Sequence, residues 1–285
     1  MKFINQSVKI CLQNFRKWQT DYRIWTVAAL IFTLVWEQTH NLASLSQLMN
    51  IKSTLWYYPF LYSQYHMKLI FILPVLLIFC NAPFIDNNAL FIIVRSKRKT
   101  WIGGQLLYII SASLVYNAFI FLCTLITSLP YSELSLEWGK ILYTIADSSI
   151  AANAGYPFID TSRFVLTWFS PLQAVWFTFL LSWLMCTMIG MLIYVLNSIS
   201  NSKYIGVAVS SFLILFSCYI EVWGTRKMLW FSPVSWCTLD KLDVGNRTSN
   251  PTFGYCFFIY VLLISVISLI LLLLNKHLTF DASHK

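Results

Sequence analysis

Charge is the scarcest property of this 285-residue chain: Asp, Glu, Lys and Arg make up 11% of it, against about 25% in an ordinary soluble domain. With 58% of residues hydrophobic and a mean hydropathy of +0.66, the chain cannot cover a core with polar groups. A disordered tract, a coiled coil and a small disulfide scaffold are thereby excluded, and a soluble domain nearly so. Other absences remove whole chemistries. There is no Gly-x-x-x-x-Gly-Lys-Ser/Thr loop to cradle a nucleotide phosphate, no His-Glu-x-x-His pair and no paired-aspartate motif. The four histidines, His40, His66, His277 and His284, are too scattered for a zinc site. None of the seven cysteines forms a Cys-x-x-Cys pair, and most sit in apolar runs as packing residues. Cys237 and Cys256 flank one polar loop and could pair if that loop faces an oxidising compartment. No acid–base or metal constellation emerges, so the expectation is a non-enzyme with no catalytic residue, metal or cofactor of its own.

What is present is a series of six apolar stretches: Ile24–Trp36, Leu69–Ile85, Gly104–Leu129, Pro171–Leu196, Tyr204–Ile220 and Phe253–Leu274. A membrane-crossing helix takes about 20 residues. The sequence therefore predicts an all-α polytopic membrane protein with six transmembrane helices, at about 24–42, 67–86, 104–129, 171–197, 204–221 and 253–275. Pro74 and Pro83 lie in the second stretch, where each can kink a helix. The first apolar run follows a polar, basic segment with no small-residue cleavage site, so insertion through the chain's own spans is expected.

The segment before that run, residues 1–23, has a different pattern. Ile4, Val8, Cys11, Leu12, Phe15 and Trp18 recur at helical spacing, and Lys2, Lys9, Arg16 and Arg23 recur every seven residues on another face. This predicts an amphipathic helix on an anionic membrane surface, with Lys2, Lys9, Phe15, Arg16 and Trp18 as its contacts; a tail folded on partner protein is the alternative. The positive charge is strongly sided. With the amino terminus inside and six alternating spans, the inside segments hold twelve basic and three acidic residues, and the outside segments hold eight of each. The positive-inside bias then places both termini in the cytoplasm. In the outside segment 131–170, Trp138, Ile141, Leu142 and Ile145 are spaced for a short helix.

Two places invite a functional reading. Glu37 would be an ionisable group inside the membrane if the first span runs on to Leu48; otherwise it marks the water-side end of a helix, as Glu221 does for the fifth span. The other is 86–104, the inside connection between spans two and three. Asp86 is followed by an apolar patch with Leu90 and Phe91, then by Arg95, Lys97, Arg98 and Lys99, then by Trp101 and two glycines. One reading is a topology anchor with an interfacial Trp. The other is a short helix parallel to the membrane that docks into a soluble partner.

Asp86, the apolar stretch, Arg95-Ser-Lys-Arg-Lys-Thr-Trp101 and the glycine-started third span resemble the first intracellular loop of type-2 ABC exporter permeases. Residues 231–236, Phe-Ser-Pro-Val-Ser-Trp, resemble that family's hydrophobic-Asn-Pro-x-x-Trp stretch, with Ser232 in place of the usual Asn; Asp86 and Asn88 stand near its usual Glu and Gly. The resemblance implies a multi-pass subunit of a bacterial cytoplasmic membrane that performs no chemistry itself. It implies dimerisation with a second copy or a sister permease, and an ABC ATPase subunit, carrying its own ATP and Mg, docked on Asp86, Leu90, Phe91, Arg95, Lys97, Arg98, Lys99 and Trp101. The cargo would be amphipathic: a peptide antibiotic, a drug or a lipid-like molecule, but not nucleic acid. An ATP-independent secondary transporter and a membrane scaffold or sensor subunit are the alternatives.

Overall fold

The computed structural model describes residues 2–85, 89–148, 150–156, 158–245 and 248–274. Within them the chain is all-α apart from one two-residue strand pair. Helix α1 (Lys2–Arg16) leads through a short turn into α2 (Tyr22–Leu48), where the Asp21 carboxylate caps the first turn by accepting from the Arg23 amide at 3.0 Å. Next come α3 (Tyr65–Phe79), α4 (Ala89–Ser96) and α5 (Arg98–Ser128). Three short helices, α6 (Lys140–Asp147), α7 (Ile150–Asn153) and α8 (Arg163–Trp168), precede the long α9 (Pro171–Ser200), α10 (Ile205–Trp223) and α11 (Phe253–Leu274).

Four stretches among the described residues are long and apolar enough to cross a membrane: Arg98–Tyr131, Pro171–Ser200, Ile205–Trp223 and Phe253–Leu274. α2 has the length, 27 residues or about 40 Å, but carries Arg23, Glu37 and His40. α3 has the apolarity but only 15 residues, about 22 Å. It stops at Phe79, short of the expected 86, because the chain turns through Cys80–Pro83, where the Ala82 amide bonds back to the Phe79 carbonyl at 2.9 Å. Pro83 has no N–H for a helical bond, a loss that α3 accommodates at Pro74 but that here coincides with the turn. α5 starts earlier than expected, at Arg98 rather than 104, so Arg98 and Lys99 belong to its first turn and not to a loop.

α9 is the axis of the bundle, packed by α3, α5, α10 and α11 and buried along most of its length. Its start is fixed by a capping box: Ser170 Oγ accepts from the Gln173 amide at 3.4 Å, and Gln173 Oε1 accepts from the Ser170 amide at 3.2 Å. Between membrane helices, apolar burial gains little over lipid, so close backbone approach and hydrogen bonds supply the specificity. Gly206 provides such an approach: a Cβ there would lie 2.5 Å from the Ile193 carbonyl oxygen. Asn197 ties the same corner, donating to the Ala82 carbonyl at 2.8 Å and accepting from the Gly206 amide at 2.8 Å. α11, by contrast, exposes most of its side chains, Phe258, Leu269 and Leu273 among them, a surface for lipid or another apolar face.

At the end of the bundle remote from α1 and α4, the connecting segments fold into a cap. β1 (Ser53–Thr54) pairs in parallel with β2 (Ser132–Glu133), with Ser53 opposite Ser132. Trp56 Nε1 donates to the Ser135 carbonyl at 2.7 Å, and Thr238 Oγ1 to the Tyr62 carbonyl at 3.1 Å. The spacing that predicts a helix after Trp138 is realised in α6, with Ile141, Leu142 and Ile145 buried beside a buried Trp138. All seven cysteines are free thiols; Cys237 and Cys256 are both buried and do not form the disulfide their positions allowed.

Candidate functional site

α1 presents three faces. Ser7, Ile10, Cys11 and Asn14 are buried against α5. Ser7 Oγ donates to the Thr100 carbonyl at 3.2 Å and Asn14 Nδ2 to Gln105 Oε1 at 2.7 Å. Gly104 makes this approach possible, since a Cβ there would meet Ile10 at 2.7 Å. Ile4, Val8 and Leu12 form an exposed apolar stripe, and Lys9 and Arg16 lie exposed on the third face; the side chain of Lys2 lies outside the described residues. A helix with one apolar and one basic free face suits a membrane surface. Phe15 and Trp18, half-buried, also face α5. Trp18 Nε1 donates to Tyr108 Oη at 2.8 Å and the Phe15 ring stands 5.2 Å from that of Tyr108, so both anchor α1 to α5.

α4 lies against the start of α5 through Ile93, and Ser96 Oγ back-bonds to the Ile92 carbonyl at 2.7 Å. Its other side is uncovered: Phe91 is 77% and Val94 86% exposed, with exposed Arg95 beside them. Lys97, at φ 72°, turns the chain into α5, whose first turn displays Arg98 and Lys99. Trp101 departs from its expected role: it is 2% exposed and packs in the core, not at an interface. Asp86 and the Leu90 side chain lie outside the described residues. Phe91, Arg95, Lys97, Arg98 and Lys99 are thus gathered on one outward projection.

Glu37 sits on the exposed face of α2. The buried ionisable pair lies elsewhere. Lys68 Nζ, on the first turn of α3, is 2.5 Å from Glu221 Oε1, near the end of α10, and the two side chains are 0% and 3% exposed. Each group removes the other's need for water, which is the usual condition for burying a charge. Lys68 falls within the expected second span, 67–86, and Glu221 at the expected water-side end of the fifth. Each lies at the edge of an apolar run, but no periodicity connects residues 153 positions apart.

Further polar groups surround this pair. Asp240 Oδ2 receives Lys241 Nζ at 3.3 Å; burial raises the pKa of Asp240, against the pull of Lys241 and Lys68. Burial also pushes the Cys237 thiol up to about 11. Asp243 accepts from the Thr248 amide at 2.7 Å and from Thr248 Oγ1 at 2.6 Å. Glu221, Arg226, Asp240, Lys241, Thr248 and Asn250 line a cleft of about 370 Å³. A second crevice of about 300 Å³, near the α1 end, is walled by apolar and aromatic side chains including Trp18, Ile24, Trp25, Ile78, Tyr116 and Phe119.

Among the described residues no three His, Cys, Asp or Glu side chains converge as a metal site. Lys68 is held in its ion pair and is not poised as an amine nucleophile. The geometry offers binding surfaces: an outward basic and apolar projection at one end, a polar cleft at the other, and an apolar crevice between helices. Set against family models, curated proteins and solved structures, the chain matches none of them.

Proposed function

We propose that this chain is the membrane-embedded permease subunit of a type-2 ABC exporter, moving an amphipathic cargo with ATP hydrolysed by a separate ATPase subunit. The reading rests on α4: a short helix with Phe91 and Val94 uncovered, set beside Arg95, Lys97, Arg98 and Lys99 and packed against the start of α5. Exposed apolar side chains ringed by charge favour a protein partner, and a helix packed on a long span can pass a push into the bundle. In this reading α2 and α3 complete a set of six spans, both termini face the cytoplasm, and two such subunits assemble in a bacterial cytoplasmic membrane. The closing of two ATPases upon ATP shifts the spans only as far as α4 is held differently in the two states.

The test is purification of the tagged chain from its host in mild detergent, alone and as Arg95→Glu/Arg98→Glu. A stoichiometric ATP-binding protein of roughly 25–35 kDa, one to two ordinary domains, is expected with the native chain and lost with the charge reversal. Absence of any ATPase from both samples would defeat the proposal. One observation favours an ATP-independent carrier instead: the Lys68–Glu221 pair at the end of two apolar helices, since buried ionisable groups mark ion pathways. Transport that persists in the charge reversal and stops on collapse of the proton gradient would select that reading.

A further inference from the structure

The cleft beside the Lys68–Glu221 pair has the makings of a ligand site that the transport reading does not use. Its volume, about 370 Å³, is at the small end of ligand pockets. One wall is Glu221, whose side chain is 3% exposed and fixed by Lys68. Two other wall residues, Asp240 and Asn250, each carry a buried Oδ1 that receives no hydrogen bond from the described residues. Asp240 spends its other oxygen on Lys241, so Oδ1 remains for a donor. Buried acceptors of this kind are costly unless a donor reaches them. At the mouth stands Arg226, exposed, a donor for an anion. The two acids bordering the cleft are paired, Glu221 with Lys68 and Asp240 with Lys241. The segments around the mouth carry exposed Trp223, a residue type that settles at a membrane–water boundary, with exposed apolar Met228 and Phe231.

We infer that the cleft binds a primary ammonium carried next to an anionic group, the chemistry of a phosphoethanolamine headgroup. The ammonium donates to Asp240 Oδ1 and Asn250 Oδ1, and the anion lies toward Arg226. A primary ammonium brings three N–H donors to these acceptors, whereas a quaternary one brings none. Apolar neighbours Phe164, Leu229 and Leu242 line the rest of the cleft and fit the short carbon linker between the two charges.

The test compares ethanolamine with choline forms in two arms. In the first, the full chain is reconstituted in nanodiscs containing equal parts of phosphatidylethanolamine and phosphatidylcholine with identical acyl chains, and retained lipid is counted by native mass spectrometry after release into detergent. In the second, binding of soluble glycerophosphoethanolamine and glycerophosphocholine to the detergent-purified chain is titrated. The ethanolamine form should win by about tenfold, the discrimination that one or two hydrogen bonds provide. A preference in the first arm alone identifies a lipid as the source of the group, and one in the second a free headgroup. Asn250→Leu should remove the preference. Arg226→Gln, on the exposed rim where folding is not at stake, should weaken binding of both phosphodiesters and leave the amine preference in place. Equal binding of the two forms in both arms would overturn the inference, and so would a preference that survives Asn250→Leu in a folded protein. This inference stands whether or not the chain couples to an ATPase.

Discussion

At the end of the bundle that carries α1 and α4, side chains reach outward: Phe91, Val94 and Arg95 from α4, and Ile4, Val8 and Leu12 from α1. At the opposite end Leu134, Leu136, Trp223 and Phe231 are exposed too, but the polar and aromatic side chains beneath them are drawn inward. Lys68 and Glu221 pair out of reach of water, Tyr57, Tyr58 and Trp236 are buried, and the connecting segments knit into a cap through Trp56, Thr238 and the strand pair. The first end offers exposed apolar and basic side chains; the second is held together by contacts within the chain. Damage to the second should therefore appear in stability, and damage to the first in association.

The largest effect belongs to the ion pair. Lys68→Met leaves the Glu221 carboxylate buried without a counter-charge, at an expected cost of about 3–5 kcal/mol. Lys68→Met together with Glu221→Leu should recover most of the loss, because two apolar groups of similar size carry no desolvation penalty. Equilibrium unfolding in mixed micelles would compare both with Arg95→Ala at the other end, expected within about 0.5 kcal/mol of the native chain. A double variant as unstable as the single one would show that the loss comes from packing and not from the unpaired charge.

The same contrast explains what the sequence could and could not disclose. The exposed end is written in local order. A seven-residue recurrence of Lys2, Lys9 and Arg16 and a basic run after an apolar patch suffice to anticipate α1 and α4, because each helix face depends only on neighbours three or four positions away. The four long apolar stretches were legible for a similar reason: length and hydropathy are local sums. The pairing of Lys68 with Glu221 is not local, and neither residue looks unusual in its own segment. Trp18 and Trp101 mislead in another way. An aromatic at the edge of a span is read as an interfacial anchor, yet a helix crossing beside it, α1 on α5, turns Trp18 toward Tyr108, and Trp101 is taken into the core. Composition cannot tell a Trp covered by lipid from one covered by a neighbouring helix.

A smaller effect is expected where α1 is seated on α5. Gly104→Leu puts a side chain where Ile10 now sits, 2.7 Å from the position of a Cβ. The branched Ile10 side chain and the Ser7 carbonyl oxygen at 3.0 Å leave little room, so α1 should lift from α5 at a cost of about 1–3 kcal/mol. The release is readable without unfolding the protein: Trp18 loses its bond to Tyr108, and its fluorescence should move toward that of a solvated indole. An unchanged spectrum would mean that α1 is held by the membrane more than by α5, in keeping with its free apolar stripe.

The least disruptive experiment changes no residue and decides which compartment each end faces. Cys80, at the α1 end, is the one cysteine that is not buried, and its sulfur lies 3.0 Å from Arg23 Nη1. Cys237, deep in the cap, is both enclosed and held as the thiol, since burial raises its pKa to about 11 and the thiolate is the reactive form. A membrane-impermeant maleimide should therefore modify the native chain once, at Cys80, as peptide mapping would show. Labelling in inverted vesicles and protection in sealed cells would put α1, α4 and their basic residues on the cytoplasmic side, within reach of an ATPase, and the polar cleft on the outer side. Labelling from outside the cell would exchange the two ends. The cleft of Glu221 and Asp240 would then open to the cytoplasm, α4 would have no access to ATP-driven partners, and the sidedness of charge in this chain would run against the bias that orients membrane proteins.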